Sequence, residues 1–155
     1  MKEKLLQCKT CLIIASTNSS IFEGKFWRVT IAPDQGYLGR CYVTLKKHKA
    51  CLGDLTEAEW SEFAVITNKL EASLKTSFGA TPFNWACMMN NAYQQKPFDA
   101  HVHWHFRPRY EDAVTIDAVI FDDKEFGHHY ERDNRVFIEK PLLKTIEATI
   151  IKNFI

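Results

Sequence analysis

His101-Val102-His103-Trp104-His105-Phe106-Arg107-Pro108-Arg109 is the stretch from which the fold is read. Its histidines alternate with large apolar residues. An extended strand turns successive side chains to opposite faces, so His101, His103 and His105 share one face and Val102, Trp104 and Phe106 the other. The apolar face belongs against a core, which leaves a row of imidazoles on the opposite surface. Histidine titrates near neutrality and serves as nucleophile, general acid or metal ligand. A solvated polar face is the alternative for such a strand. Three imidazoles in register, followed at once by Arg107 and Arg109, favour chemistry over that alternative.

Working outward, the residues before and after this strand alternate between extended and helical patterns. Phe26 to Ile31 is apolar and β-branched enough for a strand, Ala32-Pro33-Asp34-Gln35-Gly36 breaks it, and Tyr37 to Leu45 reads as the returning strand. Gly24 marks an earlier turn, and Thr17-Asn18-Ser19-Ser20 another, after a short apolar run from Cys11 to Ala15. Thr56-Glu57-Ala58-Glu59 is a capping box opening a helix, with Trp60, Phe63, Thr67, Leu70 and Leu74 on one face and Gly79 at its C-cap. Phe83 to Met89 is a strand candidate, Asn90 to Pro97 a polar loop, and Tyr110 to Phe121 a further extended segment. Asp122 to Asp133 is charged and expected to be solvated, His128 and His129 with it. Pro141 opens a last helix with a stripe of Leu142, Leu143, Ile146, Ile150 and Phe154. Strands, a long helix, more strands and a final helix predict an α+β fold: an antiparallel sheet of about five strands with a long central helix and a C-terminal helix.

Composition bounds the function. The 155 residues predict a single domain spanning 1–155. Hydrophobic residues make up 46% and charged residues 25%, as in ordinary globular proteins. A formal net charge of +1 argues against binding to duplex nucleic acid or to a membrane surface, though not against a local cationic cluster for a small anion. No apolar run approaches the roughly 18 residues of a membrane span, and Met1-Lys2-Glu3-Lys4 lacks the apolar core of a signal peptide, so a cytoplasmic location is expected. Of five cysteines, two form Cys8-Lys9-Thr10-Cys11, which suggests half of a zinc site or a thiol redox pair. Cys41, Cys51 and Cys87 read as small apolar fillers.

The segment His101-Val102-His103-Trp104-His105-Phe106-Arg107 resembles the histidine-triad signature, His-φ-His-φ-His-φ-φ with φ apolar, with Arg107 in its last position. Gln35-Gly36-Tyr37-Leu38-Gly39-Arg40, then Leu45-Lys46-Lys47-His48, then a helix opened by Leu55-Thr56 extend the likeness from about residue 8 to residue 110. The resemblance implies a nucleotidyl hydrolase or transferase acting at the α-phosphorus of nucleoside phosphates, with dinucleoside polyphosphates such as diadenosine tetraphosphate as the expected substrates. In that family the middle histidine, here His103, attacks phosphorus and forms a covalent nucleotidyl-histidine that water resolves. The main-chain carbonyl of the first histidine, His101, fixes its tautomer, and His105 donates to a phosphate oxygen or to the leaving group. Asn90 stands where the family carries a polar amide near the scissile bond. Arg40, His101 and Arg107 complete the expected substrate-binding set. The resemblance also implies a homodimer whose strands join into one larger sheet.

Some positions depart from the family pattern. Gln95-Lys96-Pro97-Phe98-Asp99-Ala100 replaces the usual Gly-Gln-Ser or Gly-Gln-Thr before the triad. Gly39-Arg40 replaces Gly-His, so that position supplies either a phosphate cation or a surface charge. Ala32 occupies the ribose-holding position, with Asp34 nearby. Cys8, Cys11, His48 and His101 together give the Cys2His2 set that zinc accepts in closed structural sites, and some histidine-triad proteins use the first triad histidine as the fourth ligand. Rival readings are a nucleoside phosphoramidase or nucleotidyl transferase, a nucleotide-binding module with little turnover, and a metalloenzyme using His-x-His-x-His as an open metal site.

Overall fold

The strand pattern and the capping signals build the architecture. The computed structural model describes residues 8–16, 19–94, 96–131 and 133–155. The charged start at residues 1–4, the first half of the turn at 17–20, Gln95 in the polar loop and Arg132 in the charged segment lie outside them. Chain order is α1 (Lys9–Ser16), β1 (Phe22–Glu23), β2 (Trp27–Ile31), β3 (Cys41–Leu45), α2 (Glu57–Phe78), β4 (Phe83–Ala86), β5 (His103–Pro108), β6 (Val114–Ile116), β7 (Val119–Phe121) and α3 (Lys140–Asn153). The first five strands form an antiparallel sheet in the order β1-β2-β3-β5-β4. The histidine strand is therefore interior, bonded to β3 on one side and β4 on the other.

Register separates the two faces. Val43 pairs with Trp104 and Cys41 with Phe106, while Thr44 pairs with His103 and Tyr42 with His105. Trp27 and Val29 on β2 join Cys41, Val43, Val102 and Phe106 in the core. The helices α2 and α3 cover that side. Phe63 of α2 stacks on Trp104 at 4.9 Å and meets Trp27 and Trp85 at 5.3 and 5.6 Å. Ser73 Oγ donates to the Ile150 carbonyl at 2.7 Å, which ties α2 to α3.

Local chemistry explains the ends of α2. Glu59 N–H donates to Thr56 Oγ1 at 3.3 Å, and Thr56 N–H donates to Glu59 Oε2 at 2.6 Å, so the capping box is complete. Gly79 closes the helix at φ 76°, a left-handed conformation that costs a side chain-bearing residue about 1 kcal/mol or more. Glu59 also accepts from Lys49 Nζ at 2.6 Å, and Glu62 accepts the main-chain N–H groups of Lys25, Phe26 and Trp27 at 2.7–2.9 Å. The start of α2 thus holds the loop after β3 and the β1–β2 turn at Gly24.

Several sequence expectations shift. The buried face of α2 is Ile66, Leu70, Ser73 and Leu74, with Trp60 39% exposed, because α3 packs against the side of the helix next to the expected one. The strand after Gly36 starts at Cys41 rather than Tyr37. Gln35 intervenes: its Nε2 donates to the carbonyls of Ala32 and Arg40 at 2.7 and 3.2 Å, its Oε1 accepts from Gly39 N–H at 2.8 Å, and Gly39 turns the chain at φ 74°. The segment 110–121 is a separate two-stranded hairpin, β6–β7, turned at Asp117 and Ala118 with φ 47° and 65°. Both positive φ values suit the primed turns that match strand twist. Asp123 is buried beside Arg109 rather than solvated, Cys51 is exposed rather than core, and the run after Cys8 is helical. His128 and His129 are exposed, as expected.

Candidate active site

The site grows from the face of β5 that the helices leave uncovered. Just before the strand, the chain is fixed by Val102 N–H donating to the Lys49 carbonyl at 2.9 Å and by Leu45 N–H donating to the Val102 carbonyl at 3.1 Å. His101 is 2% exposed, and its Nε2–H donates to the Leu45 carbonyl at 2.6 Å. Its own carbonyl accepts from His103 Nδ1–H at 2.8 Å. A carbonyl can only accept, so this contact puts the His103 proton on Nδ1 and leaves a lone pair on Nε2. That nitrogen is a nucleophile or a base with its orientation already set.

His105 lies beside His103, ring centroids 4.9 Å apart, with Tyr42 edge-on at 5.3 Å. Burial pushes the His105 imidazole down to about 3, with the charges of His103, Arg107 and Arg40 adding to the effect. It is therefore neutral at physiological pH, with one N–H to donate. Alternation carries the same face on to Arg107, which is 7% exposed. Its guanidinium stacks over Tyr130 at 4.2 Å and makes no side-chain hydrogen bond or ion pair among the described residues. Burial and the neighbouring Arg40 lower its affinity for a proton.

Two cavities flank this row. One, of about 520 Å³, is bounded by Ile13 and Ile14 of α1, by Arg28 and Thr30 of β2, and by His103 and His105. The other, of about 570 Å³, is bounded by Arg40, Tyr42, Asn90, His105, Arg107 and Arg135. Both volumes fall in the range of small-molecule sites. Pro33, Tyr42, Asn91 and His105 border both cavities, so the row of imidazoles runs from an apolar compartment towards a cationic one. Asn90 opens the 3-10 turn Asn90–Tyr93 and borders the cationic cavity alone. Arg40 is held by Asp34, whose Oδ1 also accepts from Gly36 and Val136 N–H at 3.0 and 3.1 Å. Asp34 is spent on that clasp and is not open to a ribose.

Beneath the row, Cys8, Cys11, His48 and His101 bring one donor atom each to within 4.8 Å of one another. Cys8 Sγ and Cys11 Sγ stand 3.5 and 3.4 Å from His101 Nδ1, and Cys11 Sγ stands 3.6 Å from His48 Nδ1. Zinc at about 2.3 Å from sulfur and about 2.0–2.1 Å from nitrogen, bound tetrahedrally, sets S···N edges of about 3.6 Å. Donor types and spacing are therefore compatible with zinc. The Leu45 carbonyl holds the far nitrogen of His101 as such sites require. Without a metal, burial pushes the Cys11 thiol up to about 12, the adjacent Cys8 contributing.

The structure brings the expected site residues together: His103, His105, Arg107, Arg40 and Asn90 border the cavities, and His101 lies beneath them with Cys8, Cys11 and His48. Tyr42, Asn91, Arg135 and the isoleucines of α1 were not singled out. For Tyr42 a signal existed, since a residue two before Thr44 on a strand shares its face; the others reach the site through loops and a helix that pattern does not orient.

No family model and no curated protein sequence matches this chain. Solved structures do share its fold. A hypothetical histidine triad nucleotide-binding protein from Sulfolobus tokodaii superposes with a TM-score of 0.69 at 19% identity, over 95% of this chain and 91% of that one. A zinc-bound histidine triad family protein from Mycobacterium smegmatis superposes with a TM-score of 0.58 at 18% identity, over 96% of each chain. A uridylyltransferase gives a TM-score of 0.66 at 16% identity, over 95% of this chain and 45% of that one. The fold is that of histidine triad proteins.

Proposed function

We propose that this protein is a histidine-triad nucleotidyl hydrolase or transferase in which His103 is the covalent nucleophile. The observation that carries the reading is the 2.8 Å contact from His103 Nδ1–H to the His101 carbonyl, which frees Nε2 on the wall of the apolar cavity, next to His105, which borders both cavities. The nucleoside lies in the compartment walled by Ile13 and Ile14, and the leaving group in the one lined by Arg40 and Arg107. Nε2 forms a bond to the α-phosphorus while the bond from phosphorus to the leaving oxygen breaks, its electron pair going to the leaving group. Water then attacks the same phosphorus, breaks the P–N bond and returns the imidazole. His105, neutral and partly desolvated, donates its N–H to a phosphate oxygen as charge develops. Asn90 hydrogen-bonds on the leaving side.

Dinucleoside polyphosphates such as diadenosine tetraphosphate fit a site of this kind, with a nucleoside phosphoramidate as the competing substrate. Cys8, Cys11, His48 and His101 would hold zinc in a structural role, tying α1, and with it one wall of the nucleoside compartment, to the residue that orients His103. A homodimer joined through sheet edges and a cytoplasmic location complete the reading.

Rapid quenching at alkaline pH, where a phosphoramidate bond survives, tests it. Labelled nucleotide is expected on the wild type and none on His103→Asn, which retains nucleotide binding while turnover falls at least about 10³-fold. Normal turnover by that variant, or label on His128 or His129, refutes the mechanism.

A further inference from the structure

The cationic cavity carries information about the leaving group. Among the described residues, the solvent-shielded side-chain nitrogens without a partner are Arg40 Nε, His105 Nδ1, Arg107 Nη1 and Trp104 Nε1. The first three belong to side chains bordering this one cavity, whereas Trp104 lies on the helix-covered face. Arg40 has Asp34 as its counter-ion. Among the described residues Arg107 has none, although it is only 7% exposed, and the second guanidinium beside it makes its position worse. A buried cation kept without a counter-ion is costly, and an anion brought by a ligand removes that cost.

Position along the strand says which part of the ligand carries the anion. At about 3.3 Å per residue, Arg107 starts about 13 Å beyond His103 and about 7 Å beyond His105. His103 borders only the apolar cavity, Arg107 only the cationic one, and His105 both. The α-phosphorus belongs beside His103, so the charge facing Arg107 sits further out, on the group that leaves. We propose that Arg107, backed by Arg40, selects substrates whose leaving group is itself a phosphate-bearing acid, and disfavours those that release an amine. This rests on the nucleotidyl-transfer reading above. Attack by His103 then expels a phosphate oxygen that keeps the P–O electron pair and needs no proton, while the negative charge of the leaving phosphate stays paired with the guanidinium. Arg135 adds an exposed cation to the same wall and Asp133 an acid, so the discrimination is assigned to the buried pair.

The test uses the full-length protein and the Arg107→Met and Arg107→Lys variants. A dinucleoside tetraphosphate and a nucleoside 5′-phosphoramidate with the same nucleoside are compared by kcat/KM, and inorganic pyrophosphate binding is measured by calorimetry. Arg107→Met is expected to lose on the order of 10²-fold in kcat/KM on the polyphosphate. On the phosphoramidate it should change less than about 3-fold. Pyrophosphate affinity should fall at least about 10-fold, and Arg107→Lys should recover part of both losses. The Tm of Arg107→Met should not drop, because an unpaired buried charge has been removed. Equal losses on both substrates, or pyrophosphate binding that ignores Arg107, overturn the proposal. If the wild type turns over neither nucleotide yet binds pyrophosphate through Arg107, the anion site stands and the nucleotidyl-transfer reading fails.

Discussion

Replacing Arg109 by methionine should be among the most damaging single changes in this protein. Arg109 is 2% exposed, and each of its N–H groups is used. Nε donates to Asp123 Oδ2 at 2.6 Å and Nη2 to Asp123 Oδ1 at 3.0 Å, a bidentate pair. Nη1 donates to Asn84 Oδ1 at 3.1 Å and to the His128 carbonyl at 2.8 Å, and Nη2 also reaches the Glu125 carbonyl. Methionine keeps much of the volume but strands the Asp123 carboxylate, itself 8% exposed, leaving it, among the described residues, with Tyr110 N–H at 3.3 Å. Removing one partner of a buried pair costs about 3–5 kcal/mol. At about 2–4 °C per kcal/mol for a chain of this size, the Tm should fall on the order of 10 °C. The double variant Arg109→Met, Asp123→Leu should recover much of the loss, because no charge is then left alone. Urea unfolding followed by tryptophan fluorescence gives both numbers. A loss below about 1 kcal/mol for Arg109→Met would refute the view that this ion pair holds the segment 123–130, and Tyr130 over Arg107, in place.

Other outcomes follow from the two faces of β5 and from the thiols. Trp104→Asp should cost several kcal/mol, because the ring stacked on Phe63 is replaced by a charge without a partner; His105→Asn should cost far less, and equal melting temperatures would mean the faces are assigned backwards. Protein purified without chelator should hold one zinc per chain, and Cys8→Ser should reduce it. Burial holds the Cys11 thiol up at about 12, so metal must displace a tightly held proton, and zinc affinity should fall as pH is lowered in a chelator competition. His105 is held down to about 3, below its ordinary 6.5, so between those values the unfolded chain binds the extra proton. Its contribution to stability is present above about 6.5 and is lost as pH falls towards 3; the slope of stability against pH over that window should be shallower in His105→Asn.

The histidine strand was legible because period-two alternation is a local property, and the same is true of the capping box at Thr56 and of Pro141 at the start of α3. Arg107, expected in the substrate-binding set, follows from the same alternation, since it continues the His101, His103, His105 face where the family pattern puts an apolar residue. What local pattern leaves out is tertiary. The shift from Trp60 to Ile66 on the core face of α2 depends on where α3 lies. The shortening of β3 depends on one glutamine, Gln35, competing with the sheet for main-chain groups. The burial of Asp123 depends on Arg109 arriving from another element, so charge density alone read the segment as solvated. The four metal-site residues could be assembled as a donor set, but the edges of 3.4–3.6 Å that fit zinc come only from the fold.

The interior position of β5 has a consequence for how the protein can adapt. Antiparallel partners on both edges bind its main chain, so its amides should exchange with solvent only in openings close to global unfolding. His103 and His105 therefore ride on a part of the molecule with almost no freedom of its own. Variation in the shape and charge of the cavities has to come from their walls: α1, the 32–40 turn and the segments 90–94 and 133–137. Those parts can be exchanged without repositioning His103 Nε2, whereas a change that loosens β5 lowers stability and displaces both imidazoles in one step.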